Sequence, residues 1–263
     1  MNQTLKEPRR RLAGRLGHGA LALVSWPALG LVVLVGCVTQ VLLLALTWPF
    51  DRDRRISGRV IRLSGVAISK VVPFWRFSIH KPLPSYRPKK TVCISNHLSQ
   101  TDTFLISHLP WEMKWLAKAS TFRIPFMGWA VWLAGDVGIV RGDSASSRKA
   151  MARCRGYLER GMPIMIFPEG TRSRDGELLP FKDGAFRLAI ETGADVLPLA
   201  VWGSETALPK GSWKPGFARA SVAVGEPIST AGMTQDDVER LKTESRKQVS
   251  ALRTKLRDSI RAA

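Results

Sequence analysis

Two short stretches carry residues whose types and spacing suit group-transfer chemistry. The first is Asn96-His97-Leu98-Ser99-Gln100-Thr101-Asp102, with an imidazole and a carboxylate five residues apart. On one continuous helix that separation leaves them about 140° apart, and on one continuous strand it puts them on opposite faces. They meet only where the chain turns between them. Such a turn places His97 at the open end of a strand and Asp102 at the start of a helix, where the dipole favours negative charge. Asp102 then hydrogen-bonds one imidazole nitrogen while the other takes a proton from a substrate hydroxyl. Ser99 raises a competing Ser-His-Asp hydrolase, although the chain has no G-x-S-x-G nucleophile elbow. A structural hydrogen bond between His97 and Asp102 is the plainer alternative.

The second stretch is Phe167-Pro168-Glu169-Gly170-Thr171-Arg172-Ser173. Gly170 lets a ligand approach the backbone, and the Arg172 guanidinium offers a fork suited to phosphate. Glu169 needs a partner if it is buried, so it is expected to orient Arg172 or hold a substrate hydroxyl. Taken alone, such a sequence reads more simply as a surface turn with a solvated arginine.

Alternating short apolar strands and amphipathic helices must position these stretches. Strands are predicted at 92–95, 164–167, 196–202 and 220–224, and helices at 144–159 and 184–191, each helix followed by a glycine, Gly161 or Gly193. Another helix is predicted to begin near Thr101-Asp102. Thr234 followed by Asp237 suggests a cap for a last helix over 235–260, whose basic residues read as a solvated face. The pattern predicts an α/β fold with a mixed, largely parallel sheet flanked by helices. Residues 1–70 are expected to form an N-terminal membrane-anchoring helical segment, 71–232 the catalytic domain and 233–263 the basic C-terminal helix.

The anchor is read from residues 19–50, which contain no charged residue. A helix of that length exceeds the roughly 30 Å hydrocarbon core of a bilayer. Pro27 is expected to break it, leaving 28–48 bracketed by Trp26 and Trp48. Lys6, Arg9, Arg10, Arg11 and Arg15 precede it and Arg52, Arg54, Arg55, Arg59 and Arg62 follow, so charge does not orient it. One tilted span and a hairpin dipping into one leaflet both fit. Trp111, Trp115, Trp129 and Trp132 suit either the headgroup level or ordinary core packing.

The Asn-preceded H-x-x-x-x-D motif and F-P-E-G-T-R-S about 70 residues later resemble those of the bacterial 1-acyl-glycerol-3-phosphate acyltransferases, within the glycerolipid acyltransferase superfamily. Lys118, Phe122, Pro125 and Gly128 resemble the family's K-x-x-x-x-x-x-P-x-x-G segment. Gly138-Ile139-Val140-Arg141 is similar to its G-x-I-x-x-R block, with Val140 where an aspartate usually precedes the arginine. Val196-Leu197-Pro198-Leu199 resembles the fourth, apolar block. The resemblance implies acyl transfer from acyl-coenzyme A or acyl-carrier protein to the sn-2 hydroxyl of a lysophosphatidic acid. It implies His97 as general base oriented by Asp102, and an acceptor phosphate bound by Arg172 with Gly170, Thr171 and Glu169, and by Arg141 or Lys118. No metal and no cofactor beyond the acyl donor are expected. The expected place is the inner cell membrane, with the catalytic domain on the cytoplasmic face.

Composition agrees with that reading. The 263 residues carry 40 Lys+Arg against 21 Asp+Glu, a formal charge of +19, with 45% hydrophobic residues. This favours anionic partners and excludes a disordered polyelectrolyte. Cys37, Cys93 and Cys154 are too few and too scattered for a disulfide framework or zinc ribbon. An O-acyltransferase for another lysolipid, such as lyso-ornithine lipid, is the nearest alternative. A membrane-tethered nucleic-acid binder would account for the charge but for neither motif, so no nucleic-acid partner is expected.

Overall fold

The computed structural model describes residues 6–209 and 211–262, with side chains from residue 23 onward. In chain order the elements are α1 (Lys6–Thr47), α2 (Arg55–Val71), β1 (Trp75–Ile79), β2 (Thr91–Ser95), α3 (Asp102–Ile106), β3 (Lys114–Lys118), α4 (Met127–Leu133), β4 (Val137–Ile139), α5 (Ser144–Glu159), β5 (Ile164–Ile166), α6 (Gly184–Thr192), β6 (Asp195–Trp202), β7 (Ala218–Val224) and α7 (Val238–Arg261). Among the described residues the strands form one sheet of order β1-β7-β6-β2-β5-β3-β4. Every pairing is parallel except β6 with β7.

Alternation along the strands builds a core on each face. Val92, Ile94, Ile164, Ile166 and Val196 pack with residues of α5, α6 and α7. Cys93, Met165, Leu197 and Leu199 pack with Leu105 and Ile106 of α3 and with Met113. The four strands and two helices expected from sequence are present within a few residues of their predicted ends, and Gly193 closes α6 at φ 61°. Thr234 and Asp237 form a reciprocal capping box before α7. Strands β1, β3 and β4 are additional. On helix α7 the basic residues Arg240, Arg246, Lys247, Lys255 and Arg261 are exposed and Arg253 is buried, while Val238, Leu241, Val249 and Leu256 recur at helical spacing on the other face and enter the core.

The N-terminal helix also differs from expectation. Pro27 does not break it, because α1 runs through that residue as far as Thr47. A proline removes one backbone bond, whereas ending an apolar helix there would strand several polar groups. The same continuity replaces the hairpin considered within residues 19–50, and the chain reverses only after Thr47. The basic side chains from Lys6 to Arg15 lie outside the described residues. Within α1, Leu23–Thr47 is long and apolar enough to cross a membrane, with a mean hydropathy of 2.6. Its outward face is apolar (Leu31, Leu34, Val38, Leu42). Its inner face is pinned by Gln40, whose Nε2 donates to the Ser57 carbonyl at 3.0 Å and the Ala130 carbonyl at 3.1 Å.

Helix α2 in turn meets the sheet through four buried charges. Arg62 lies 2.6 Å from Asp136 and 3.7 Å from Glu112. Lys114, 0% exposed, donates to Glu112 at 3.2 Å and to the carbonyls of Arg54 and Ala134 at 2.8 Å. Two cations and two anions cancel. Burial pushes the Glu112 carboxyl up and the Lys114 ammonium down, each opposed by its partners. Removing one member strands the others. Lys114→Met should therefore lower the unfolding free energy by about 3–5 kcal/mol. Adding Glu112→Leu should recover part of the loss. Urea denaturation of the three proteins in one detergent measures both, and a Lys114→Met loss below about 1 kcal/mol would contradict the coupling.

Candidate active site

Four parallel strands, β2, β5, β3 and β4, end on the same edge of the sheet, where open α/β sheets place their ligands. Ile94 of β2 aligns with Ile166 of β5, so His97 and Glu169 each lie three residues beyond a paired position. Trp115 of β3 aligns with Met165, and Lys118 aligns with Ile139 of β4, two residues before Arg141. The turn demanded by the His–Asp spacing is present, because β2 ends at Ser95 and α3 begins at Asp102.

Asp102 is 0% exposed. Its Oδ2 lies 2.8 Å from His97 Nδ1 and accepts the backbone N–H groups of Leu98 at 2.7 Å and Ser99 at 2.9 Å. Its Oδ1 accepts a short hydrogen bond from the Ser204 hydroxyl. A carboxylate on Nδ1 fixes the proton there and leaves Nε2 with the lone pair. Nε2 makes no hydrogen bond among the described residues. The His97 ring stacks on Phe167 with centroids 4.0 Å apart and planes 16° apart. Ser99 is turned away from the ring; its hydroxyl reaches the Leu208 carbonyl at 3.4 Å and is met by Thr101 Oγ1 at 3.1 Å. The hydrolase alternative therefore lacks its nucleophile.

The second motif is tied to the first through the backbone. Ser173 N–H donates to the His97 carbonyl at 2.9 Å. Glu169 is buried, and it does not pair with Arg172 as expected from sequence. Its oxygens accept the N–H groups of His97 at 3.0 Å and Leu179 at 3.4 Å. It faces the loop's interior rather than the open cleft. Burial pushes its carboxyl up to about 7, against the two N–H bonds and the Arg253 charge, with Asp102 raising it further. Gly170 takes φ 68°, and a Cβ there would stand 3.0 Å from Lys182 Cε and Nζ. Thr171 and Arg141 are exposed, Arg172 is half-buried, and Lys118 is exposed at the end of β3. Partial desolvation and the neighbouring Arg172 guanidinium hold Arg141 below its ordinary value, and neither arginine forms an ion pair within 4.0 Å among the described residues.

The matching segments of known proteins coincide with this assembly. A family model described as Acyltransferase matches residues 76–202, from β1 to the end of β6. A 1-acyl-sn-glycerol-3-phosphate acyltransferase of Limnanthes douglasii is 31% identical over 216 residues, 79% of this chain and 74% of that protein. The chain belongs to the 1-acyl-sn-glycerol-3-phosphate acyltransferase family. A Chlamydomonas reinhardtii member is 35% identical over 178 residues, 66% of this chain and 52% of its own length. The chain spans about half the length of several such relatives. The crystal structure of the 1-acyl-sn-glycerophosphate acyltransferase PlsC of Thermotoga maritima shares the fold, with a TM-score of 0.68 at 23% identity, covering 90% of this chain and 97% of that one.

The acyltransferase motifs gain physical reasons here. A Cβ at Gly128 would meet the Phe122 carbonyl at 2.3 Å, and the Phe122 ring covers Gly138, so that segment is a tight turn from β3 into α4. Trp115 is buried in the core, whereas Trp129 and Trp132 are exposed. The asparagine of the first motif and one residue the sequence did not single out, Ser204, complete the site. Asn96 exchanges two hydrogen bonds with the Val201 backbone at 2.9 and 3.1 Å, locking β2 against β6. Ser204 lies 102 residues from its partner Asp102, and no local pattern announces it.

Glu169 leaves a signature in stability. Its folded value of about 7 stands above the ordinary 4.5, so the folded state holds a proton that the unfolded state releases earlier. That stabilisation is full below the ordinary value and disappears as pH rises through about 7. The melting temperature of wild type should therefore fall relative to Glu169→Gln between pH 5 and pH 8, then run parallel to it. Thermal scans across that range check it; a constant difference would remove the titration.

Proposed function

We propose that the protein transfers an acyl group from an acyl thioester, acyl-coenzyme A or acyl-carrier protein, to the sn-2 hydroxyl of 1-acyl-glycerol-3-phosphate, giving phosphatidic acid. The observation that carries this reading is the 2.8 Å His97–Asp102 pair standing at one sheet end with Arg141 and Arg172, which form no ion pair among the described residues. A base with a free Nε2 beside a concentrated positive field suits an acceptor that carries both a hydroxyl and a phosphate.

In the proposed reaction, His97 Nε2 takes the hydroxyl proton as the acceptor oxygen attacks the thioester carbonyl. The tetrahedral intermediate expels the thiolate, which receives the proton from His97. Asp102 holds the ring and stabilises the transient imidazolium, and Arg172, Arg141 and Lys118 hold the phosphate. General-base catalysis of this kind contributes about 10²–10⁴-fold. Leu23–Thr47 is the candidate membrane segment. We place the protein at the inner cell membrane on its cytoplasmic side, with residues 1–70 as the anchor, which keeps lipid acceptor and product at hand.

The test follows a labelled acyl group from acyl-coenzyme A, and in parallel from acyl-carrier protein, to lysophosphatidic acid in detergent micelles. Wild type should turn over, and His97→Ala should lose roughly a hundredfold or more. Ser204→Ala should lower kcat about tenfold through its hydrogen bond to a charged group, while Ser204→Thr retains activity. Arg172→Ala should raise KM for the phosphate-bearing acceptor about tenfold or more and leave phosphate-free lysolipids unaffected. Silence of wild type with both donors would overturn the acceptor, and equal activity of His97→Ala would remove the base.

A further inference from the structure

Phe167 opens the second motif without a group that could ionise or bind an anion, yet its ring lies against the His97 imidazole. The side chains of β5 alternate: Ile164 and Ile166 enter one core, Met165 and Phe167 the other. Pro168 biases the residue before it to an extended backbone, so the alternation continues past the end of the strand at Ile166. The register pairs Ile94 with Ile166, which puts Phe167 one residue and His97 three residues beyond the same rung of the sheet.

The two rings stack with centroids 4.0 Å apart and planes 16° apart. Phe167 is itself held on two sides. Trp115, buried in the core, meets it edge-on at 6.1 Å and carries the Arg62 guanidinium 4.9 Å from its own ring centroid. The Phe167 carbonyl accepts the Gly170 N–H at 3.0 Å, which fixes the backbone as the chain turns.

The other contacts of His97 leave one freedom open. Asp102 Oδ2 lies 2.8 Å from Nδ1, and Glu169 and the Ser173 N–H hold the His97 backbone at 3.0 and 2.9 Å. None of them sets the plane of the ring. The torsion that turns an imidazole about its Cβ–Cγ bond is broad, and a hydrogen bond tolerates about 30° of misalignment. A swing of that size carries Nε2 off the line to a hydroxyl, and misplacement of a reacting group is costly in rate. An aliphatic side chain would fill the space between Trp115 and His97, but only a flat ring defines a plane.

We infer that Phe167 is a positioning residue of the base: its ring, backed by Trp115, fixes the plane of the His97 imidazole while Asp102 fixes Nδ1, and together they aim Nε2. The motif that carries Arg172 thereby holds His97 at three points, the backbone N–H through Glu169, the carbonyl through Ser173 and the ring face through Phe167.

The inference rests on His97 as the base of the acyl-transfer reading above, so one readout is independent of turnover. The full chain in detergent is prepared with isotope-labelled histidine; it contains four histidines, and His97→Ala identifies the signals of interest in magnetic resonance spectra. In wild type the His97 ring protons should lie upfield, shielded by the Phe167 ring, and the Nδ1 proton should give a sharp resonance. Phe167→Leu and Phe167→Met should lose the shielding and broaden that resonance. In lysophosphatidic acid acylation both should lower kcat about tenfold with KM unchanged, because the loss falls on the aim of the base and not on binding. Phe167→Tyr keeps a flat ring and should retain the wild-type spectrum and kcat within about threefold. Unshielded ring protons in wild type, a sharp Nδ1 proton or unchanged kcat in Phe167→Leu and Phe167→Met, or a loss in Phe167→Tyr as large as theirs would overturn the inference. Should wild type fail to acylate lysophosphatidic acid, the acyl-transfer reading falls and the spectra alone decide whether Phe167 holds the ring. Should Phe167→Leu fail to fold, Phe167→Met decides.

Discussion

A carboxylate taken out of water must be met by donors on both oxygens, and Asp102 imposes that condition where β2, α3 and β6 converge. Donors to Oδ2 come from the His97 ring and the backbone of Leu98 and Ser99, so the chain must turn within five residues. The donor to Oδ1 comes from Ser204, and that depends on where β6 stops. Asn96 settles both ends by exchanging hydrogen bonds with the Val201 backbone after the last paired position, Ser95 with Leu199. Gly203 then turns the chain at φ 85°, where a Cβ would collide with the Arg219 carbonyl at 2.1 Å. The imidazole is held by a constraint that the sheet register has already satisfied.

The same register concentrates charge at the sheet end. Parallel strands deliver Lys118, Arg141 and Arg172 to one edge, where partial desolvation and the Arg172 charge hold Arg141 below its ordinary value. Apart from the ligand, that arrangement is a cost to folding, of the kind functional sites carry against stability. An anion between the guanidiniums converts repulsion into charge-assisted bonds. Glu169 does not neutralise them, because its carboxylate is turned inward to the His97 and Leu179 N–H groups. One motif therefore serves two ends: its glutamate holds the His97 backbone, and its arginine is left half-buried beside Arg141.

What the sequence discloses follows from how locally each feature is determined. The two motifs, the helix start at Asp102, the apolar strands and the Thr234 capping box are set by neighbours within a few residues. Strand β3 was hidden because Lys114 and Lys118 bracket it, and a lysine reads as exposed; only distant Glu112, Asp136 and the α2 backbone make Lys114 an interior residue. The buried face of helix α7 was not legible because Ser245 and Arg253 interrupt its apolar stripe. Pro27 read as a break because the rule weighs one lost hydrogen bond and not the cost of ending an apolar helix. Ser204 was invisible for want of any local relation to Asp102.

β3 also joins the anchor to the chemistry. Its first residue, Lys114, sits in the four-charge cluster under α2, and its last, Lys118, stands exposed at the sheet end, about 13 Å away along an extended strand. Beside it runs a chain of packed rings. The Arg62 guanidinium lies 4.9 Å from the Trp115 ring centroid, Trp115 meets Phe167 edge-on at 6.1 Å, and Phe167 stacks on His97 at 4.0 Å. The Trp115 backbone N–H donates to Asp136, the carboxylate that also holds Arg62. Close-packed interiors yield little to a local push, so a displacement of α2 is passed to rings that end on the His97 imidazole. The exposed Trp129 and Trp132 of α4, packed beside α1 and reached through the turn after Lys118, extend the apolar surface from the candidate membrane segment. A lipid acceptor held by its phosphate at Lys118 and Arg172 would find apolar surface for its chain on the side where the protein already presents it.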